Sequence, residues 1–432
     1  MHYPNLYQSL QAELGAAVTA PDHFAFCHAQ QNGPLAVVTP LSEEETVATV
    51  RWAAANHIAL VPVGGATLLN ANPSVNDKRW LLLSSRHLCT VTEYSPNDMV
   101  VTAAAGVTIA QLNQRLAEFG QWLPFDPPAP DRATLGGIVA ANTTGAFRTA
   151  YGAPRDRLLG LRALTPDGQV IKAGGKVVKN VAGYDLCKLF TGSWGELGFI
   201  LEATFKVQPR PACDHRLRCP FSDPNYARFS PDDLKTALDV LLDFQTRQLD
   251  LAFAILVVDR TVRLLIALHG NQPKVEWDRN QLQSMIPSLV ELDHQDADFS
   301  LAQDSRIPPP TGFAIEVLSL PSRVPELSLR LNDLHPALLT INLAAGRITA
   351  QWSHQDTRNE VWNLCKSLHP PCASCTFYGV PELSRSSLPA AALGMGDAVV
   401  HALNLRIKRA LDPNNIFSPS RWVDNGFETA QE

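Results

Sequence analysis

Much of the glycine in this 432-residue chain is gathered into three segments before Pro211: Pro62–Asn70 (PVGGATLLN), Pro127–Gly145 (PPAPDRATLGGIVAANTTG) and Gly174–Ile200 (GGKVVKNVAGYDLCKLFTGSWGELGFI). In each, Gly stands beside Ala, Ser, Thr and Asn, with very little basic charge in the first two. Small residues let a backbone approach a ligand closely and let successive N–H groups point into one concavity that suits anionic oxygens. Thr67, Thr134 and Asn142 add short polar side chains. Such a site would neutralise a pyrophosphate by backbone dipoles rather than by Lys or Arg. A single Gly pair is usually an ordinary turn or a point of tight packing. Three such segments beside two βα units favour a binding site.

The surrounding pattern sets the elements. Leu35–Val38 is an apolar run; Ser42 with Glu43–Glu45 reads as an N-cap and acidic first turn; Val47, Val50 and Ala54 keep a helical period; and Ile58–Val63 ends in Gly64-Gly65. That is a βαβ unit. Met99–Ala105 predicts a strand, and Thr108 caps a helix over Ile109–Phe119 that Gly120 stops. Leu158–Leu164 and Gln169–Ala173 flank a Pro-Asp-Gly turn, and the strand Phe199–Val207 closes the region. Beyond Pro211 turns become Pro-rich. Ser230-Pro231-Asp232-Asp233 starts a helix, and Leu251–Val258 with Thr261–Leu268 and Leu339–Ala345 with Arg347–Trp352 read as strand pairs. Glu360–Leu368 and Val399–Leu411 predict further helices, the second leading into an extended tail. The acidic, Pro-bounded stretch Pro273–Pro310 is expected to be the least structured.

Composition excludes several classes. Thirty-six basic against forty-two acidic residues, a net charge of −6, argue against a nucleic-acid binder, which normally presents a basic face. The most apolar run, Leu249–Val258, meets Asp259 and Arg260 long before the roughly 18 apolar residues a spanning helix needs. The first residues carry neither a cationic nor an apolar leader region. Eight scattered cysteines read as reduced thiols in a cytoplasmic protein. The usual nucleotide motifs are missing too. No G-x-G-x-x-G opens a helix after Gly64-Gly65, Gly175-Lys176 is followed by Val177 rather than Ser or Thr, and G-x-x-G-x-x-G at Gly192–Gly198 is weak alone. The ligand needs another architecture.

The order of the segments resembles the FAD-binding domain of the vanillyl-alcohol-oxidase/PCMH flavoprotein superfamily. Within it, Gly174–Leu186 (GGKVVKNVAGYDL) followed by Leu189–Gly198 (LFTGSWGELG) resembles the GlcE-type family of FAD-binding subunits of bacterial glycolate oxidase, also called glycolate dehydrogenase, and Leu411–Arg421 (LDPNNIFSPSR) matches the superfamily's C-terminal signature. The resemblance implies an α+β chain: a helical segment over 1–34, a PCMH-type FAD-binding domain of two α/β subdomains over 35–211, a smaller ferredoxin-like α+β cap over 212–398, and a helix and tail over 399–432 returning to the FAD domain. It implies that Gly64, Gly65, Ala66 and Thr67 wrap the pyrophosphate. Thr134, Gly136, Gly137, Asn142 and Gly145 would line the flavin and its phosphates, and Gly195 and Ile200 would lie against the adenosine end. Ala66 and Leu68 stand where relatives often keep Gly and Ser or Thr, which is expected to loosen the phosphate loop, and Trp194 replaces a frequent Glu. No His or Cys occurs from Ala59 to Arg86, so FAD is expected to be non-covalent.

Oxidising a 2-hydroxy acid needs a base, a cation for the carboxylate and a hydride acceptor; Arg suits the carboxylate through its planar fork. Arg260, Arg263 and Arg347 fall at predicted strand ends and His269 after one, positions where a charge is ordinarily solvated. The catalytic partner subunit of this family carries a His-rich metal motif, but Ala344–Trp352 (AAGRITAQW) has no His. The chain is therefore expected not to hold that subunit's hydroxy-acid site. Cys365, His369, Cys372 and Cys375 lie within 11 residues and could form a zinc knuckle or one corner of an iron–sulfur site. Without a second C-x-x-C the favoured reading is plain thiols and no metal. The expected role is the FAD-binding subunit of a glycolate-oxidising complex, with a flavin-containing catalytic subunit and an iron–sulfur subunit as partners and membrane contact only through them. The alternatives are an assembly subunit binding FAD weakly or not at all, and a stand-alone flavin-dependent 2-hydroxy-acid dehydrogenase.

Overall fold

Ser42 accepts a hydrogen bond from the Glu45 amide, and with three glutamates in the first turn it starts the helix Glu43–Ala55. The computed structural model describes residues 3–19, 34–68, 79–175, 184–222, 229–247, 249–293, 296–309, 312–354, 357–367, 373–378 and 398–418. The helix links strands of a first sheet, β1 (Val18–Thr19), β2 (Val37–Val38), β3 (Ala59–Val63) and β4 (Trp80–Ser84), ordered β1-β2-β4-β3. β4 is parallel to both β2 and β3. The period of two along these strands fills a core on each face. Leu60, Leu81 and Leu83 turn to one, with Val50 and Phe199, while Val61, Leu82 and Trp80 turn to the other.

The next sheet is antiparallel. β5 (Val91–Ser95), β6 (Val100–Ala104), β8 (Leu158–Leu164), β9 (Val170–Gly174) and β10 (Phe199–Lys206) are ordered β5-β6-β10-β8-β9, while β7 (Gln121–Trp122) pairs separately with β11 (Gln208–Pro209). The helix Ile109–Ala117 starts with a capping box between Thr108 and Gln111, and the short helix Leu135–Ala141 starts at Thr134. Backbone hydrogen bonds from Leu135 N to Val107 O and from Gly136 N to Ala105 O anchor that short helix to the end of β6.

The third sheet is the largest. β12 (Cys213–Pro220), β13 (Phe253–Val258), β14 (Val262–Gly270), β15 (Val290–Leu292), β16 (Phe313–Ser319), β17 (Leu338–Asn342), β18 (Arg347–Trp352) and β19 (Ala373–Tyr378) are ordered β15-β12-β14-β13-β17-β18-β16-β19. Leu234, Leu241, Val275, Leu282, Leu327 and Val361 bring four helices onto one face. Phe253, Ile255, Val257 and Leu338 turn to the other face and pack against Ala146, Phe147 and Tyr151, so this sheet covers the glycine-rich side of the molecule. The expectation for residues 273–310 is corrected here. Asn271 caps a helix Gln272–Met285, whose Val275 and Leu282, seven residues apart, bury one stripe, and Asp296 caps a second helix, Ala297–Gln303. The acids that suggested disorder are partly ion-pair partners: Asp298 lies 2.8 Å from Arg263 and 3.1 Å from Arg218. Among the described residues no helix is long and apolar enough to cross a membrane.

Candidate functional site

β3 ends at Val63, and the chain then runs through Gly64–Leu68 along the edge of a cleft of about 780 Å³. Of the residues singled out from the sequence, Gly64, Gly65, Ala66, Thr67, Thr134, Gly136, Gly137, Gly195 and Ile200 line this cleft together. Asn142 and Gly145 do not. Asn142 closes the helix Leu135–Ala141 in a left-handed conformation, with its side-chain oxygen 3.4 Å from the Arg155 amide, and Gly145 lines a second cavity beyond it. Residues 176–183 (KVVKNVAG), in the first half of the third glycine-rich segment, lie outside the described residues.

The walls are backbone because side chains would not fit. A Cβ at Gly65 would lie 1.7 Å from the carbonyl oxygen of Arg132, one at Gly64 1.9 Å from Thr134 Oγ1, and one at Gly136 2.8 Å from the Ala105 Cβ. Gly137 differs: its nearest neighbour would be Thr134 Oγ1 at 3.3 Å, and the residue is exposed to the cleft. No charged side chain lines the cleft among the described residues. A narrow, apolar channel walled by peptide groups fits a long ligand with flat rings and phosphates that can bond to main chain, which is the chemistry of FAD.

Three non-glycine residues beside the cleft hold left-handed backbones: Ala66 (φ 56°), Asn142 (φ 48°) and Trp194 (φ 56°). The departure at Ala66 is thus local strain in an intact turn. A left-handed residue with a Cβ costs roughly 1–2 kcal/mol, so Ala66→Gly is expected to stabilise the protein by about 1 kcal/mol. A rise in the urea midpoint at unchanged slope would register it; no rise would mean that the turn is relaxed.

The candidates for chemistry fall in three places. Arg263 is not a solvated charge: its guanidinium sits between Asp259, at 2.8 Å, and Asp298, at 2.8 Å, in a structural cluster, whereas Arg260 is exposed. His269 lies within β14 and is buried, its Nδ1 2.6 Å from the Tyr151 hydroxyl and its Nε2 3.2 Å from Asp214. Burial works to raise Asp214, but hydrogen bonds from His269 and Arg216 outweigh it and bring the carboxyl down to about 2. Arg347 is half-buried at the start of β18, where desolvation lowers its affinity for a proton and Glu316 opposes that. It meets Arg306, which no sequence signal marked. Of the cysteine cluster, His369 and Cys372 lie outside the described residues; Cys365 and Cys375 are buried, and hydrogen bonding to Cys375 followed by burial raises the Cys365 thiol.

Asp126 ties down the loop after Asn142, accepting from the Gly145 amide at 2.9 Å and the Phe147 amide at 3.1 Å. Desolvation outweighs these bonds and pushes its carboxyl up to about 6 from 3.8. The folded state therefore binds more protons than the unfolded state between those values, so this group's contribution to stability is present below about pH 4 and is lost as pH rises through about 6. Asp126→Asn is expected to flatten that part of the stability–pH curve in calorimetry. An identical slope in the variant would refute it.

Residues 34–174 match a family described as an FAD binding domain. The chain is 42% identical over 129 residues to glycolate oxidase subunit GlcE of Escherichia coli, covering 30% of this chain and 37% of that one. It is 34% identical over 178 residues to D-2-hydroxyglutarate dehydrogenase of Stutzerimonas stutzeri, covering 41% and 38%. The matched part thus spans well under half the length of these relatives. The fold superposes on p-cresol methylhydroxylase with a TM-score of 0.71 over 98% of this chain and 97% of that chain, at 15% identity. The chain thus has the α+β fold of p-cresol methylhydroxylase, its residues 34–174 match an FAD binding domain, and FAD is its cofactor.

Proposed function

We propose that this chain is the FAD-binding subunit of a cytoplasmic glycolate oxidase (glycolate dehydrogenase) complex that oxidises glycolate to glyoxylate and passes electrons to an iron–sulfur partner subunit. The observation that carries this reading is the higher identity to GlcE, 42%, than to the hydroxyglutarate enzyme, 34%. The runner-up, an assembly subunit without flavin, is disfavoured by the open, uncharged cleft. Bound FAD supplies a hydride acceptor for the alcohol carbon. In this reading Gly64–Thr67 hold the pyrophosphate through main-chain groups, Thr134, Gly136 and Gly137 line the flavin and its phosphates, and Gly195 and Ile200 bound the adenosine end. Asn142 and Gly145 act one step back, by setting the turn that carries Thr143. Domain limits near residues 211 and 398 are part of the same reading, as is non-covalent attachment.

The test is a purified preparation of the chain, alone and with its partner subunits. A flavin spectrum whose colour moves to the supernatant on acid precipitation, with glycolate-dependent dye reduction only in the assembled complex, supports the proposal. Colour retained in the pellet would overturn non-covalent binding. Dye reduction by the chain alone would favour the stand-alone dehydrogenase.

A further inference from the structure

We infer that FAD is retained by an apolar clasp drawn from three separate parts of the chain: Leu68 of the loop after β3, Trp194 of the turn before β10, and Tyr378 at the end of β19. Leu68 and Trp194 line the cleft, and both pack against Tyr378 and Ala314 of the eight-stranded sheet. The two positions noted in the sequence as departures thus meet in one contact. This inference rests on the placing of FAD in the cleft and adds a holding residue, Tyr378, from outside residues 34–174. It is independent of the substrate that the flavin oxidises.

Each member is set in place by its own element. Side chains alternate along β19: Cys375 and Phe377 enter the core beneath the helices, so Tyr378 falls on the other face of the sheet. Its cross-strand neighbour on β16 is Ala314, whose single methyl group leaves room for the phenol ring, and the tyrosine is only 2% exposed. Trp194 comes to the same point from a left-handed turn (φ 56°), a backbone that a bulky residue rarely adopts. Main-chain bonds fix that turn against the end of the helix Leu135–Ala141, from Gly192 N to Val139 O at 3.0 Å and from Trp194 N to Ala140 O at 2.8 Å. Strain held by its surroundings beside a binding cleft points to a use for the side chain so displayed. Peptide groups can bond to phosphates, but they do not hold two loops together, and among the described residues no charged side chain lines the cleft. Buried aromatic surface can do so. Before the loop after β3 and the turn before β10 can part, each must leave Tyr378. The clasp therefore governs how fast FAD leaves.

The experiment follows release of FAD from the full, FAD-loaded chain, as flavin passing a size filter at set times after dilution. Urea unfolding of the same proteins stripped of FAD is measured beside it. Trp194→Gly is the main variant, because glycine keeps the left-handed turn without strain while the indole is lost. It is expected to release FAD about 10–100-fold faster than wild type, with little change in the stability of the FAD-free protein. Leu68→Ala, at a half-buried loop position, and Tyr378→Ala should also speed release. Tyr378→Phe keeps the ring and should release FAD at the wild-type rate. Trp194→Gly combined with Tyr378→Ala should be no faster than the faster single variant, since both remove the same contact. Wild-type release from Trp194→Gly and Tyr378→Ala overturns the clasp. So does fast release from Tyr378→Phe, which would make the hydroxyl the holding group. Gly65→Ala tells the two failures apart. If it keeps its full flavin content, the placing of FAD in the cleft fails and the clasp with it. If it loses flavin while the three clasp positions leave release unchanged, only the present inference fails.

Discussion

Gly65→Ala is expected to purify with less than about a tenth of the wild-type flavin content and with a stability lowered by about 1–3 kcal/mol, the usual penalty of forcing atoms into a packed site. The added Cβ would sit 1.7 Å from the Arg132 carbonyl oxygen and 2.5 Å from its carbon, both backbone atoms that cannot swing away. Relief requires the loop after β3 to separate from the segment before Thr134, and both segments line the cleft. Gly137→Ala is the informative comparison. Its Cβ meets only the Thr134 hydroxyl, at 3.3 Å, and alanine is favoured over glycine in a helix by up to about 1 kcal/mol. That variant should keep or gain stability and still lose flavin, because the new methyl group enters the space where the ligand approaches main chain. Absorbance ratios of flavin to protein, read beside urea denaturation, separate the two effects. Full flavin occupancy in Gly65→Ala would show that the cleft is not the flavin site.

How far the sequence could be read depended on the range of the interactions. Local signals were legible: Ser42 and Thr108 each make the side-chain cap their position predicts, and the alternation along β3 and β4 matches the two cores. The grouping of Gly64–Thr67 with Thr134–Gly137 came from the family resemblance and from three glycine-rich segments falling close together, since one Gly pair by itself is usually an ordinary turn. The arginine pair was not. Arg306 follows a short helix and Arg347 opens a strand, and either position is normally solvated; what buries them is the fold-back of Thr143–Gly145 from a segment more than 160 residues away. Residues 273–310 misled for a related reason. Their acids look like a solvated run until Arg218 and Arg263, on β12 and β14, are placed opposite Asp298.

Asp412→Ala is expected to destabilise the protein by about 3–5 kcal/mol, the range for breaking a buried ion pair from one side. Asp412 is 2% exposed and its carboxylate accepts from the Ile416 amide at 2.8 Å and the Phe417 amide at 2.8 Å while pairing with Lys408. Lys408, 6% exposed, also donates to the carbonyls of Glu196 and Phe417, each at 2.6 Å. Alanine would take the carboxylate from that buried ammonium and free two amides from their acceptor. The segment so released bonds to β3 on both sides of Leu60, from the Leu60 amide to Ile416 O and from the Ser418 amide to Leu60 O, each at 2.7 Å. Because Glu196 adjoins Gly195 and β3 leads directly into Gly64, the same change should also weaken flavin binding, linking the C-terminal segment to the cleft. The double variant Lys408→Met with Asp412→Leu removes both charges together and should be less destabilised than Asp412→Ala, since no buried charge is left unpaired. Urea unfolding followed by circular dichroism, with flavin content measured alongside, decides the matter: a loss below about 1 kcal/mol in Asp412→Ala would mean the pair is replaceable by water and the tail is held by Phe417 packing alone.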